Sequence, residues 1–184
     1  AKGLSVARVH TGDPSMYGAI REQMVALDKE GIEYEVIPGV SSVFAGAAAM
    51  KKEFTLPGVT QTLILTRMAG RTPVPEAESI ENLAKIQASM AIFLSIASID
   101  ELAKKLMTSY PKDTPAAVVY KASWPDQKII MSTLECIADK VKEADINKTA
   151  LVYVGRFLAD EFELSKLYDK HFSHEFREAK DARR

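Results

Sequence analysis

Residues 90–106, MAIFLSIASIDELAKKL, place an apolar run directly before an amphipathic pattern. The run MAIFLSI is typical of a buried strand, and from Ile99 to Leu106 the apolar residues recur at helical spacing. Ser98 and Glu101 have the spacing of a capping box, which predicts a helix start at this point. A strand followed at once by a helix is the repeating unit of α/β folds.

The same alternation continues through residues 57–160, which we therefore predict to be one α/β domain with a mixed five-stranded sheet and three flanking helices. The segment QKIIMSTL follows a Trp-Pro-Asp-Gln turn and is expected to return as an antiparallel hairpin strand. The other predicted strands are TLILTR (62–67), TPAAVVYKA (114–122) and KTALVYVGRF (148–157). One of the other predicted helices is SIENLAKIQAS (79–89). The last begins at a second capping box, Ser132 with Glu135, and runs to Val141.

Residues 1–56 carry a shorter version of this pattern. SVARVH and EYEVIPG are expected to be two parallel strands, each followed by a helix, with VSSVFAGAAAM as a closely packed helix of small residues. Asp13 and Pro14 suit the N-cap and first position of the first helix, and Gly31 its end. Because two parallel strands leave both edges uncovered, we interpret this part as the C-terminal half of an N-terminal domain. Residues 161–184 are a charged tail.

Composition narrows the kind of ligand and the compartment. The 184 residues are 47% hydrophobic and carry a net charge of −1, so no basic field favours nucleic acid or an anionic membrane. We expect a small-molecule ligand, no membrane span and no export signal. The single cysteine, Cys136, falls in an apparent helix and cannot form a disulfide framework, which fits the cytoplasm.

Two loops indicate where a ligand binds. The turn at Gly12 and Asp13 and the turn at Gly39 both follow predicted strands, and ligands of open α/β sheets bind at the carboxyl ends of strands. Glycine allows the backbone to approach a ligand closely, and the carboxylate of Asp13 could accept hydrogen bonds from it. The alternative is structural: Asp13 only caps its helix, and Gly39 only ends a strand.

Other catalytic patterns are missing from the sequence. It holds no Gly-x-Gly-x-x-Gly, Walker or Gly-x-Ser-x-Gly motif, which argues against an ordinary Rossmann enzyme, a P-loop nucleotidase and an α/β hydrolase. His171 and His174 have a spacing that suits zinc, but a solvated polar tail without nearby cysteine is the favoured interpretation, so no metal site is predicted. His10 is interpreted as structural.

Five segments follow one another along the chain: GDPSMYGAI (12–20), EVIPGVSS (35–42), LTRMAGRTPVPE (65–76), VVYKASWPDQ (118–127) and TALVYVGRFL (149–158). In this order the sequence resembles the tetrapyrrole methylases, two-domain S-adenosylmethionine enzymes of corrin and sirohaem synthesis. The combination of RTPVPE with YKASWPDQ is similar to the branch that methylates carbon 11 of precorrin-4 or cobalt-precorrin-4. The resemblance implies methyl transfer to a ring carbon in a cleft between two α/β domains, usually in a homodimer.

The resemblance also implies residue roles, mostly through backbone contacts. Because the acceptor carries many carboxylates, cationic side chains at the mouth of the cleft would orient it, with ordinary solvated charges as the alternative. Tyr17 either faces the acceptor or packs. No general base is assigned. The implied cofactor contacts are Thr11, Gly12, Asp13, Met16, Ser41, Ser42, Met68, Ala122, Thr149 and Ala150, and the candidate substrate-binding residues are Arg67, Arg71, Lys121 and Tyr17.

One departure from the family concerns the loop that its members carry after their first strand, of the type Gly-x-Gly-Pro-Gly-Asp-Pro. The sequence has no such segment, and we expect an incomplete N-terminal domain and an activity that depends on the missing wall of the cleft. Two alternatives stay open: a related methylase with another acceptor, such as uroporphyrinogen or a translation-factor residue, and a folded dimerisation or binding module without catalysis. The segment RTPVPE disfavours the first alternative, and methyl transfer itself tests the second.

Overall fold

The computed structural model describes residues 3–165 and residue 173. Helices and strands alternate along it, which confirms the predicted α/β class. The helices are α1 (Ile20–Lys29), α2 (Ser42–Met50), α3 (Ile80–Ala84), α4 (Ile99–Leu106) and α5 (Ile137–Glu143). The strands are β1 (Leu63–Arg67), β2 (Ser89–Phe93), β3 (Pro115–Tyr120), β4 (Lys128–Thr133) and β5 (Ala150–Val154).

The five strands of the described residues form one mixed sheet in the order β1-β2-β5-β3-β4. β1 and β2 run parallel, and each of the other neighbouring pairs is antiparallel. Arg67 pairs with Phe93, and Tyr120 pairs with both Ala150 and Lys128. The ends of β1, β2 and β3 therefore meet the starts of β4 and β5 along one side of the sheet, which we call the site edge.

Both faces of the sheet are covered, as its alternating side chains require. One face packs against α3, α4 and α5 through residues such as Ile92, Val118 and Val152. The opposite face packs against α2 and residues 54–56. Burying one such aliphatic side chain contributes about 1.5–3 kcal/mol, so these two layers hold the sheet in place.

Tyr153 fixes α2 to the sheet. Its hydroxyl donates to the backbone carbonyls of Ser42, at 3.0 Å, and Val43, at 3.1 Å. A Cβ on Gly46 would lie 1.9 Å from that hydroxyl oxygen, so only glycine fits there. The small side chains of this helix thus allow the close packing that the sequence predicts, and they fix the N-terminus of α2 relative to β5.

The predicted parallel strands of residues 1–56 are absent from the structure. Residues 5–10 and 33–37 are irregular, and Val6 and Val9 are more than four-fifths exposed. Alternation predicts an extended chain, but a strand also needs a hydrogen-bonding neighbour, and among the described residues neither segment pairs with another. The prediction of two paired strands here is therefore wrong.

The first helix begins later than predicted. α1 starts at Ile20 and its N-cap is Ala19, so Asp13 and Pro14 do not occupy the N-cap and first positions. Instead the chain turns over residues 14–17 and folds back on itself. A Cβ on Gly18 would lie 2.2 Å from the carbonyl oxygen of Pro14, so this glycine permits the close return.

Both predicted capping boxes are also wrong, although the helices exist. Ser98 makes no side-chain cap hydrogen bond, because a short 3₁₀ turn over Ile96–Ser98 leads directly into α4. Ser132 lies inside β4, and α5 begins after Cys136, which is exposed. The N-caps of α2 and α3, Ser41 and Ser79, do accept amide hydrogens.

None of the helices in the described part of the chain combines the length and apolar character that crossing a bilayer needs.

Candidate functional site

The two glycine turns that the sequence singles out lie against each other. The amide of Gly39 donates to Oδ2 of Asp13 at 2.9 Å. A Cβ on Gly39 would lie 2.1 Å from the carbonyl oxygen of Gly12, which itself adopts a φ of +71° and lies beside Ser41. Two turns that are 26 residues apart in sequence thus lie backbone against backbone, which is the close approach that glycine permits.

The carboxylate of Asp13 holds this junction together. Oδ1 accepts hydrogen bonds from the Ser15 amide, at 2.9 Å, and from the Ser15 hydroxyl. The Ser15 hydroxyl, followed by the amides of Gly39 and Ser15, lowers the pKa of Asp13 below its usual range, because each favours the charged form. Asp13 therefore caps a turn instead of a helix, and Oδ2, with one donor, keeps acceptor capacity for a ligand.

The remaining predicted cofactor contacts of the N-terminal part surround this junction. Thr11 and Ser42 are exposed, and Met16 is partly buried, with its amide donating to the Asp13 carbonyl at 3.2 Å. Ser41 is buried, and its hydroxyl accepts the amide of Val43 at 3.4 Å. The exposed hydroxyls of Thr11 and Ser42 can contact a polar ligand, whereas the Ser41 hydroxyl caps α2.

The site edge gathers the predicted contacts of the C-terminal part. Buried Met68 follows β1, and its amide donates to the hydroxyl of Ser95 at 3.0 Å. That hydroxyl donates in turn to the carbonyl of Phe93 at 2.7 Å. Sequence reasoning missed Ser95; the signal was a single serine inside the apolar run MAIFLSI. Its hydroxyl joins the ends of β1 and β2.

The backbone on the far half of the site edge is unusual. The amide of Lys121 donates to the carbonyl of Thr149 at 2.9 Å, which places Ala122 and Ala150 on neighbouring strand ends. Lys121, Ser123 and Thr149 all have positive φ, at 46°, 71° and 54°. Such backbone strain in residues other than glycine concentrates at ligand sites, because the surrounding fold must stabilise it.

The three cationic candidates differ in what they contact. Arg67 donates to the backbone carbonyls of the loop after β1. Lys121 pairs with Asp126 at 2.5 Å, which is the main reason that its pKa is raised, and its ammonium group lies 5.3 Å from the Trp124 ring centroid. Arg71 is exposed and makes no hydrogen bond or ion pair with a described residue.

Tyr17 connects the N-terminal turn to the site edge. Its ring packs edge-on against Phe93, with centroids 5.1 Å apart, and 46% of the residue stays exposed. Partial burial raises the pKa of Tyr17, and the charge of Arg67 opposes this shift. Of the two interpretations, the structure therefore shows packing, and it leaves part of the ring available at the site edge.

Two other features lie elsewhere or carry no site. A surface cavity of about 550 Å³ is lined by residues such as Asp113, Arg156 and Glu163, and none of the predicted site residues borders it. Among the described residues no three His, Cys, Asp or Glu side chains come together as metal ligands. His171 and His174 lie outside the described residues.

Comparison with known proteins gives the family. Residues 1–138 match the family Tetrapyrrole (Corrin/Porphyrin) Methylases. The cobalt-precorrin-4 C(11)-methyltransferase of Methanocaldococcus jannaschii is 54% identical over 180 residues, which cover 97% of this chain and 70% of that protein. The precorrin-4 C(11)-methyltransferase of Pseudomonas aeruginosa is 48% identical, with 96% of this chain and 71% of that protein covered.

The fold agrees with a solved structure. The X-ray structure of a cobalt precorrin-4 methyltransferase of cobalamin biosynthesis superposes with a TM-score of 0.80 at 50% identity. The match covers 82% of this chain and 64% of that one, so the chain spans a little under two thirds of that structure. With a family match over most of its length and relatives near half identity, this chain belongs to the tetrapyrrole methylases.

Proposed function

We propose that this chain transfers a methyl group from S-adenosylmethionine to carbon 11 of precorrin-4 or cobalt-precorrin-4, in cobalamin biosynthesis. The observation that carries the proposal is the junction of the two glycine turns, fixed by the bond from Gly39 to Asp13, beside a site edge that bears the remaining family motifs. Relatives at 54% and 48% identity have this activity in their names.

The residues present fit an S-adenosylmethionine site. When bound, the cofactor supplies an electrophilic methyl group on a sulfonium. The close approach of Gly12 and Gly39 leaves backbone groups uncovered by side chains, and exposed Thr11 and Ser42 and the free capacity on Asp13 offer polar partners. In this proposal the cofactor contacts, including Met16, Ser41, Met68, Ala122, Thr149 and Ala150, hold and orient it.

The acceptor would lie against the outer part of the site edge. Exposed faces of Tyr17 and Trp124, at 46% and 54% exposure, offer aromatic surface to a macrocycle. Arg71 and Lys121 supply positive charge for its carboxylates. The protein's main contribution is to hold donor and acceptor carbons aligned for displacement, since no covalent nucleophile is needed.

The test is methyl transfer from isotopically labelled S-adenosylmethionine, with precorrin-4, cobalt-precorrin-4 and uroporphyrinogen III as separate acceptors. We expect one added methyl group on a precorrin-4 species, located by mass spectrometry and NMR, and none on uroporphyrinogen III. Methylation of uroporphyrinogen III alone would contradict the proposed acceptor. Failure with every acceptor would favour a non-catalytic binding module.

The assembly belongs to the same proposal: a homodimer that works in the cytoplasm. Ile129 and Met131 are about two-fifths exposed on β4, which lies at the edge of the sheet. Apolar side chains on an open edge strand favour pairing with a partner. Light scattering should give twice the mass of one chain, and Met131→Lys should lower it, whereas a monomeric wild type would contradict the dimer.

A further inference from the structure

The side chain of Arg67 contacts both ends of the loop after β1, residues 68–75. Nη2 of Arg67 donates to the carbonyl of Pro73 at 2.8 Å, and Nη1 donates to that of Thr72 at 3.1 Å and of Met68 at 3.4 Å. The amide of Gly70 donates to the same Thr72 carbonyl at 3.2 Å. One guanidinium group thus connects both ends of the loop.

The position of Arg67 makes this connection relevant to the site. Its backbone pairs with Phe93 on the neighbouring strand, and the Phe93 ring contacts Tyr17. The loop begins at Met68, a predicted cofactor contact, and carries Arg71 near its middle. Fixing the loop therefore fixes where Met68 and Arg71 stand relative to the site edge.

Arg67 and Arg71 differ in whether their guanidinium groups have partners within the described part of the chain. The Nη atoms of Arg67 are taken up by backbone carbonyls, whereas Arg71 has no partner among the described residues. Resting on the proposed function, we propose that Arg67 is a positioning residue which fixes the loop 68–75, so that Arg71, and not Arg67, meets a carboxylate of the acceptor.

Lysine cannot replace arginine in this role. A guanidinium is a rigid planar fork that reaches separate acceptors at the same time, whereas an ammonium is a point donor on a flexible chain. An ion pair with a substrate carboxylate, by contrast, retains much of its attraction when lysine keeps the charge. Arg67→Lys therefore separates positioning from direct binding.

Hydrogen exchange followed by mass spectrometry tests the positioning role on the full chain without any ligand. We expect Arg67→Lys and Arg67→Gln both to raise exchange in the peptide covering 68–75 by about tenfold, with α4 and α5 peptides unchanged. The matched control Arg71→Gln should exchange as the wild type does. Wild-type exchange in the folded Arg67→Lys protein would overturn the proposal.

Binding of uroporphyrin III, a stable tetrapyrrole with many carboxylates, tests whether Arg67 affects the ligand site and not only the stability of the fold. Arg71→Gln should weaken binding and reduce its dependence on salt, because one screened charge pair is lost. Arg67→Lys and Arg67→Gln should weaken binding equally and reduce its salt dependence as Arg71→Gln does, because either change frees the loop and moves Arg71 away from its carboxylate. Full affinity and full salt dependence in Arg67→Lys, with both reduced only in Arg67→Gln, would show that Arg67 binds the carboxylate directly and would overturn the proposal. If wild type does not bind uroporphyrin, that result counts against the proposed tetrapyrrole ligand, and hydrogen exchange still decides the role of Arg67.

Discussion

Asp13 shows how one side chain can decide the shape of a site. Sequence reasoning weighed a helix cap against a ligand contact, and the structure gives a third role: Asp13 joins two turns 26 residues apart in sequence through Gly39. A pattern of neighbouring residues cannot reveal such a bond, because the partner is brought in by the fold. The sequence indicated close backbone approach to a ligand at Gly12, which stays a prediction; the close approach that the structure shows is between Gly39 and the Gly12 carbonyl.

Replacing Asp13 by asparagine should loosen the junction in a way that depends on pH. Its pKa is lowered in the folded protein, so its contribution to stability is present above the unfolded pKa near 3.8 and is lost as the pH falls through the folded value. The difference in unfolding free energy between wild type and Asp13→Asn should therefore be constant at neutral pH and shrink in acid. Urea denaturation across this pH range measures the difference in unfolding free energy. A difference that grows on acidification would contradict the lowered pKa of Asp13.

Ser95 is the residue-scale link at the site edge. Ser95→Ala leaves the buried Met68 amide without its acceptor, which should cost about 1–3 kcal/mol. The matched control is Ser98→Ala, which removes an exposed serine without a side-chain cap bond and should cost less than about 0.5 kcal/mol. Denaturation midpoints compare the stabilities of the two variants. If Ser98→Ala lost more stability than Ser95→Ala, Ser98 would cap α4 as the sequence predicted.

At the scale of elements, sequence reasoning performed well where the sheet covers a strand on both faces. All five strands of residues 57–160 were predicted. In β2, β3 and β5 the apolar runs reflect real burial, whereas β4 has no buried residue and was predicted from the turn that precedes it. It failed for SVARVH and EYEVIPG, where alternation describes only a tendency to extend and pairing depends on neighbours. The predicted starts of α4 and α5 were also wrong, because the 3₁₀ turn before α4 and the residue at which β4 ends depend on packing.

Gly46 provides the test of how α2 packs on the sheet. At an exposed helical site, replacing glycine by alanine stabilises by about 1 kcal/mol. Here the new Cβ would lie 1.9 Å from the Tyr153 hydroxyl oxygen, so Gly46→Ala should instead destabilise by about 1–3 kcal/mol. Thermal denaturation shows whether Gly46→Ala raises or lowers the stability. In a Tyr153→Phe background the penalty should be smaller, because the nearest clashing atom is gone; stabilisation by Gly46→Ala would contradict this packing.

At the scale of the whole molecule, the site depends on contacts between parts that are distant in sequence. Tyr153 of β5 holds the start of α2, where Ser41 and Ser42 lie, and Tyr17 contacts β2 at Phe93. The division into residues 1–56 and 57–160 stays a prediction. These contacts could not be derived from the sequence, since nothing local distinguishes the tyrosines that make them from the others.

Two buried tyrosines allow a matched comparison. Tyr153→Phe and Tyr110→Phe each remove a buried hydroxyl that donates to backbone carbonyls, and each should cost about 1 kcal/mol of stability. Tyr110 donates to Ala88, away from the site edge, so only Tyr153→Phe should weaken the binding of S-adenosylhomocysteine, by about threefold to tenfold. Equal affinities in calorimetry would show that the position of α2 does not affect the site.

Calorimetric titration of the chain with S-adenosylhomocysteine shows whether the two joined turns and the site edge form a cofactor site. We predict micromolar binding to wild type, about −8 kcal/mol. Asp13→Ala should weaken this binding by about tenfold, and the control Asp113→Ala, which borders the separate cavity, should leave it unchanged. A folded wild-type chain that releases no heat, or an Asp13→Ala variant that binds as tightly as wild type, would contradict the account.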